Sequence, residues 1–137
     1  MKADFDVDAE ISALEARLKK LRHVHKLRRE VAILEGRTNA PERVKKLAEI
    51  VADRRDISVG LLFSKDRTQY VAESRFIVFY LARKFVRISS TELGLIFNRD
   101  HGTVLIGLKR CKVLMDQDSM LANQVQEIES KFSATLN

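Results

Sequence analysis

Three histidines, one cysteine and nineteen acidic residues are the groups with which this 137-residue chain could make or break bonds, and their spacing assembles none of the usual catalytic machinery. His23 and His25 are two apart on a helical stretch, which points them to different sides and gives no metal pair. Cys111 is alone, so it forms no intramolecular disulfide and no multi-cysteine zinc site; it falls at an apolar helical position and reads as core. The nearest string to a phosphate-cradling G-x-x-x-x-G-K-[ST] loop runs from Gly102 through Gly107 to Lys109, with the lysine displaced by one and the whole string inside a helical segment. No nucleophile triad, metal set or paired carboxylates can be assembled. The chain is therefore expected to be no enzyme, to need no cofactor or metal, and to bind no nucleotide.

What the residue types do supply is positive charge. The formal net charge is +6. Residues 61–115 hold ten Lys/Arg against four Asp/Glu, so this stretch alone carries +6 and the rest is balanced. A concentrated positive field favours a polyanionic partner, although charge alone does not separate DNA, RNA and acidic membrane. No apolar run approaches the roughly 20 residues needed to cross a bilayer, and the N-terminus opens with Asp4, Asp6 and Asp8 instead of a basic region followed by an apolar one. No membrane association is expected, and the location that follows is cytoplasmic.

The elements that would position this charge are helical. One proline, five glycines and 45% hydrophobic residues describe an all-α chain. Residues 1–35 carry Ile11, Leu14, Leu18, Leu21, Val24, Leu27, Val31 and Leu34 at three- and four-residue spacing, a coiled-coil-like seam with one irregularity near His23 to His25. Burying eight such side chains at roughly 1.5 to 3 kcal/mol each is ample to hold two helices together, so the stripe predicts a homodimer; packing of the stripe on its own domain is the alternative. Lys19, Lys20, Arg22, Lys26, Arg28 and Arg29 read as the solvated face of that helix. Gly36, Asn39 and Pro41 break it, which makes 36–40 a linker and 41–137 the main domain.

Within that domain Val44, Leu47, Ala48 and Val51 predict a helix to about Arg54, followed by a short turn of helix over 59–63 and a polar, basic loop over 64–68. Residues 70–87 are apolar on most sides and predict the central helix, with Arg75, Arg83 and Arg87 on one flank and Phe76 and Phe79 in the core. Ser89-Ser90-Thr91-Glu92 matches a capping box opening a short helix to Phe97. Asn98 suits a left-handed turn, and Asp100 suits the cap of a helix burying Val104, Leu108, Cys111 and Met115. A last helix carries Leu121, Val125, Ile128 and Phe132. A short capped helix, a tight turn and a longer helix with polar residues at its start over 89–115 is the organisation of a helix-turn-helix, whose second helix enters the major groove.

Over about residues 44–132 the sequence also resembles the C-terminal DNA-binding domain (domain IV) of the bacterial replication initiator DnaA, a Trp-repressor-like helix-turn-helix. The matching blocks are Ile57-Ser58-Val59 with Leu62 and Ser64-Lys65, then Arg67, Val71-Ala72, Arg75, Tyr80-Leu81-Ala82-Arg83, Glu92-Leu93-Gly94, Phe97, and Arg99-Asp100-His101 followed by Thr103-Val104-Leu105. The resemblance implies that Arg67 reaches the minor groove, that Asp100 and His101 read bases, that Arg75 and Arg83 contact backbone or groove edges, and that Thr103 contacts a phosphate. Each role suits the group: arginine fits the negative potential of a narrow minor groove, aspartate accepts from cytosine N4, and a hydroxyl at a helix N-terminus fits a phosphate. Lys65, Arg87, Thr91, Arg99, Lys109 and Arg110 would add backbone contacts. This sequence departs from the family at Gly102, where a threonine is usual, at Asn98, where one residue is missing and a glycine pair is replaced, and at Ile106, where histidine is common. The family's standard nine-base-pair box is therefore not a secure target.

The expectation is an all-α, DnaA domain-IV-like helix-turn-helix bundle behind a coiled-coil-like N-terminal helix, without the initiator's ATPase domain. It would bind double-stranded DNA as a dimer and regulate replication initiation or transcription in the bacterial nucleoid or, for a phage protein, in the host cytoplasm. The alternative is an adaptor of replication or phage machinery that uses the DnaA-like domain as a DNA tether.

Overall fold

Asp6 starts the first helix as its cap, its carboxylate accepting from the Ala9 amide at 3.1 Å, and α1 then runs without interruption over Val7–Leu34. In the computed structural model, which describes residues 6–35 and 39–135, the remaining elements are α2 (Ala40–Arg54), α3 (Val59–Phe63), α4 (Gln69–Leu81), one π-helical turn (Ala82–Val86), α5 (Ser90–Phe97), α6 (His101–Gln117) and α7 (Ser119–Thr135). There is no strand among the described residues, as the all-α expectation required. Gly36, expected to end the first helix, lies outside them.

The periodic apolar positions become the core. Val44, Leu47, Ala48 and Val51 of α2 are fully buried, with Pro41 in the first turn where its missing N–H leaves no hydrogen bond unmade. Leu121, Val125, Ile128 and Phe132 of α7 are buried beside them. Phe79 meets Phe97 edge-on at 5.0 Å, Phe97 stacks on Phe63 at 4.6 Å, and these contacts lock α3, α4 and α5 together. Cys111 is fully buried, and that burial pushes its thiol up to about 12, so it is an inert core group. Arg55 ties α2, α4 and α7: its buried guanidinium donates to Ser74 Oγ at 2.6 Å and Gln124 Oε1 at 2.7 Å and lies 4.0 Å above the Tyr70 ring.

The continuous helix predicted over 70–87 is not formed. α4 stops at Leu81, the chain widens into the π turn, and Arg87 closes it in the left-handed region at φ 59°, its amide donating to Ala82 O at 3.1 Å. Arg75, Arg83 and Arg87 therefore do not share a flank: Arg75 is buried and the other two are exposed.

α1 meets the rest of the molecule through its last turns, on α5. Ile33 is its one buried residue, and Arg29 Nη2 donates to Glu92 Oε2 at 3.3 Å. Arg29 and Ile33 are four residues apart and lie on the side of the helix opposite to Val24, Leu27, Val31 and Leu34. All eight stripe residues remain between 40% and 69% exposed. The stripe is therefore not packed on its own domain in this structure, unlike the alternative left open by the sequence.

Candidate nucleic-acid interface

Two helices and a loop build the site, each held by local hydrogen bonding. The Ser89 hydroxyl accepts from the Glu92 amide at 3.1 Å and opens α5. Only this half of the predicted capping box forms, because the Glu92 carboxylate turns away to Arg29 of α1. At the other end of α5, Asn98 adopts the left-handed conformation at φ 53°, the Asn98 amide donates to Leu95 O at 3.4 Å, and the Arg99 amide donates to Gly94 O at 2.8 Å. This pair of bonds is a Schellman stop, and it sets the tight turn between the two helices. Gly94 is essential to it: a Cβ there would lie 2.5 Å from the Arg99 carbonyl oxygen.

Asp100 starts α6 by accepting from the Thr103 amide at 2.7 Å, and that bond holds its carboxyl below the usual aspartate range. His101, Gly102 and Thr103, the first turn of α6, are exposed, so the helix presents its N-terminus to solvent. Behind this turn α6 lies close against α4 because Gly107 has no side chain; a Cβ would come within 2.7 Å of Phe76 and 2.9 Å of Phe79.

The loop over 64–68 stands beside that N-terminus. Ser64 Oγ donates to Leu61 O at 2.7 Å and accepts from the Asp66 amide at 3.1 Å, while Asp66 accepts from the Thr68 amide at 2.8 Å and from the Thr68 hydroxyl. Arg75 supports the loop from below, donating to Leu62 O at 2.8 Å and, through Nη2, to the carbonyls of Leu61, Ser64 and Asp66 at 3.1 to 3.2 Å. Arg99 reaches the same Ser64 carbonyl at 2.6 Å from the helix-helix turn. One carbonyl thus joins the loop to the turn.

Between them lies a cleft of about 560 Å³ lined by Lys65, Arg67, Arg75, Arg99, Asp100 and Thr103 with Phe63, Phe76 and Phe97. The cations crowd one another: burial and the neighbouring Arg99 push Arg75 down to about 10, and burial and the charge of Arg67 lower Arg99. A bound anion would relieve this repulsion.

Six of the twelve DNA-contact residues expected from the sequence (Lys65, Arg67, Arg75, Arg99, Asp100 and Thr103) therefore line one cleft. His101 is exposed beside Asp100 at the start of α6, and Lys109 and Arg110 are exposed farther along that helix. Arg83 and Arg87 lie at the far end of α4, where Arg83 donates to Ile88 O at 3.2 Å, and Thr91 is half-buried in the first turn of α5. Arg75 departs from its expected role. With its guanidinium held by four backbone carbonyls and only 4% of the residue exposed, it positions the loop instead of offering a free cation. Sequence reasoning missed Gly94 and Gly107 as the residues that set helix spacing, and missed Leu105 and Ile106, which are 39% and 62% exposed on the outer side of α6. Their aliphatic character inside a run of core positions gave no signal of exposure.

Known proteins share part of this sequence and this fold. The family model "Bacterial dnaA protein helix-turn-helix" matches residues 44–111, from α2 to the middle of α6. The chromosomal replication initiator protein DnaA of Bacteroides thetaiotaomicron is 33% identical over 85 residues, covering 61% of this chain and 18% of that protein. The corresponding protein of Clavibacter sepedonicus is 37% identical over 76 residues, covering 55% of this chain and 16% of that protein. The chain thus spans less than a fifth of the length of these two curated relatives. A crystal structure of a DNA replication initiation factor superposes with a TM-score of 0.64 at 22% identity, over 98% of this chain and 39% of the other, which shows a common fold.

Proposed function

Residues 44–111 belong to the bacterial DnaA helix-turn-helix family, and from that premise we propose that the protein binds double-stranded DNA in a sequence-directed manner. The observation that carries the reading is the convergence of Lys65, Arg67 and Arg99 on a cleft beside the open N-terminus of α6. α6 enters the major groove with its first turn, where His101 and the free oxygen of Asp100 meet base edges. Thr103 and the α6 N-terminus take a phosphate, and Arg67 extends from the 64–68 loop into the adjacent minor groove. Lys65, Arg83, Arg87, Thr91, Lys109 and Arg110 contribute backbone contacts. Arg75 and Arg99 act through the Ser64 carbonyl, fixing the distance between the minor-groove arginine and the recognition helix. Leu105 and Ile106 offer apolar surface to a thymine methyl, in place of the side chain that Gly102 lacks.

The protein acts as a homodimeric regulator of replication initiation or transcription, paired through α1, with residues 41–137 as the reading domain. The exposed stripe on α1 supports the pairing. Selection from randomised duplex DNA followed by sequencing tests the reading. The expected result is an enriched motif, with a log-log salt slope near −5 if about six phosphates are contacted. Retention of duplexes without any enriched motif would overturn it and leave a non-specific tether.

A further inference from the structure

We infer that α1 pairs with α1 of a second copy in the antiparallel sense, with the two-fold axis close to Leu18; this rests on the dimeric reading above and adds the orientation. The support is charge. Asp6, Asp8, Glu10 and Glu15 make the first part of α1 wholly acidic, whereas Arg17, Lys19, Lys20, Arg22, Lys26, Arg28 and Arg29 make residues 17–29 wholly basic. Parallel pairing sets acid against acid and base against base along the whole helix. Antiparallel pairing sets residues 6–15 against 20–29, where Lys20, Arg22, Lys26, Arg28 and Arg29 stand.

The apolar seam alone would pair all eight positions with an axis between Arg22 and His23, but that register sets the basic stretch against itself, so charge decides. With the axis between Arg17 and Leu18, Ile11 stands against Val24 and Leu14 against Leu21, with Leu18 beside its own copy. Every one of these side chains is exposed, between 42% and 64%, in the single copy. The three-residue steps from Leu18 through Leu21 and Val24 to Leu27, which disturb the seam near His23 and His25, fall opposite the segment Val7–Leu18 of the partner instead of opposite themselves. The overlap ends near Arg29, where α1 passes to its own domain through the Glu92 ion pair and Ile33. At that end of the overlap Arg29 and Ile33 point away from Val24 and Leu27, so both contacts form together.

The functional consequence is spacing. Residue 34 lies roughly 25 Å from the axis at 1.5 Å rise per residue, so the two reading domains attach roughly 50 Å apart, at opposite ends of the rod. A parallel pair would place them side by side. Two copies would therefore engage half-sites more than one helical turn apart, or two separate duplexes.

The test uses the full chain with one added cysteine, since Cys111 is buried and leaves the new thiol as the reactive one. Nitroxides at Ala9→Cys and, separately, Ala16→Cys sit on the outward side of the rod, and sedimentation of the unlabelled protein establishes the dimer. The inference expects the inter-label distance for Ala9→Cys to exceed that for Ala16→Cys by roughly 10 Å, and self-association to weaken as salt is raised from low to high. Equal distances, with association strengthened by salt, would show a parallel pair and overturn the orientation while keeping the dimer. A monomer at all concentrations would overturn both. The DNA-selection result is independent of either outcome.

Discussion

Leu121, Val125, Ile128 and Phe132 on α7 repeat at the same three- and four-residue spacing as Ile11, Leu14, Leu18 and Leu21 on α1, yet the first set is at most 4% exposed and the second between 46% and 64%. α7 lies along α2 and α6 and closes the core, and Phe132 reaches the Phe85 ring edge-on at 6.3 Å. α1 touches its own domain at one end, through Arg29 and Ile33. A stripe states that a face must be buried, and the rest of the fold decides whether the cover is intramolecular. In α7 the cover is present within the chain; in α1 the inward contact is confined to the last turns, which leaves the stripe exposed.

The largest effect should come from α7. Phe132→Ala is expected to lower unfolding free energy by about 3–5 kcal/mol, read from denaturant titration, because a fully packed aromatic leaves a cavity. The junction between α1 and the domain should respond less and asymmetrically. Arg29→Ala leaves the buried Glu92 carboxylate without its cation and is expected to cost about 1–3 kcal/mol, whereas Glu92→Gln should cost less, since Arg29 is 47% exposed and returns to water. Hydrogen exchange in the last turns of α1 would report the loss of docking in both. Leu18→Glu should leave the domain's own stability within about 0.5 kcal/mol but abolish the concentration dependence of the thermal midpoint that the dimeric reading expects of the wild type. A loss of stability like that of Phe132→Ala at this position would erase the contrast between the two helices. Smallest of all in stability is Gly102→Thr, where the new Cβ would sit 3.5 Å from Asp100 Oδ1 in ordinary contact. It should shift the preferred base at one position of the selected motif and leave unfolding almost unchanged.

Much of this fold was legible in residue spacing. The predicted positions of α2, α3 and α7, the left-handed Asn98 and the Asp100 cap all follow from local preferences that the tertiary structure leaves undisturbed. The π turn after Leu81 was not legible, because apolar residues on nearly every side give no phase from which a change of helical pitch can be read. Arg75 and Glu92 show a second limit. An arginine's type announces a cation, but whether its donors face an open groove or four carbonyls depends on a loop eleven residues earlier. Glu92 had a local partner available in the capping box and took one 63 residues away instead. Gly107 shows a third, since the need for a missing side chain arises only where α6 crosses Phe76 and Phe79 of α4.

Binding of wild type and His101→Ala to the selected duplex and to a scrambled one, each at two salt concentrations, tests most directly whether the first turn of α6 reads bases. The imidazole is exposed and makes none of the contacts described for the fold, so the variant should unfold as the wild type does. The predicted result is a loss of about 1–3 kcal/mol in discrimination between the two duplexes with the salt slope unchanged, since phosphate contacts are kept. Equal discrimination by both proteins, or a fall in affinity that is the same on both duplexes, would contradict base reading by α6.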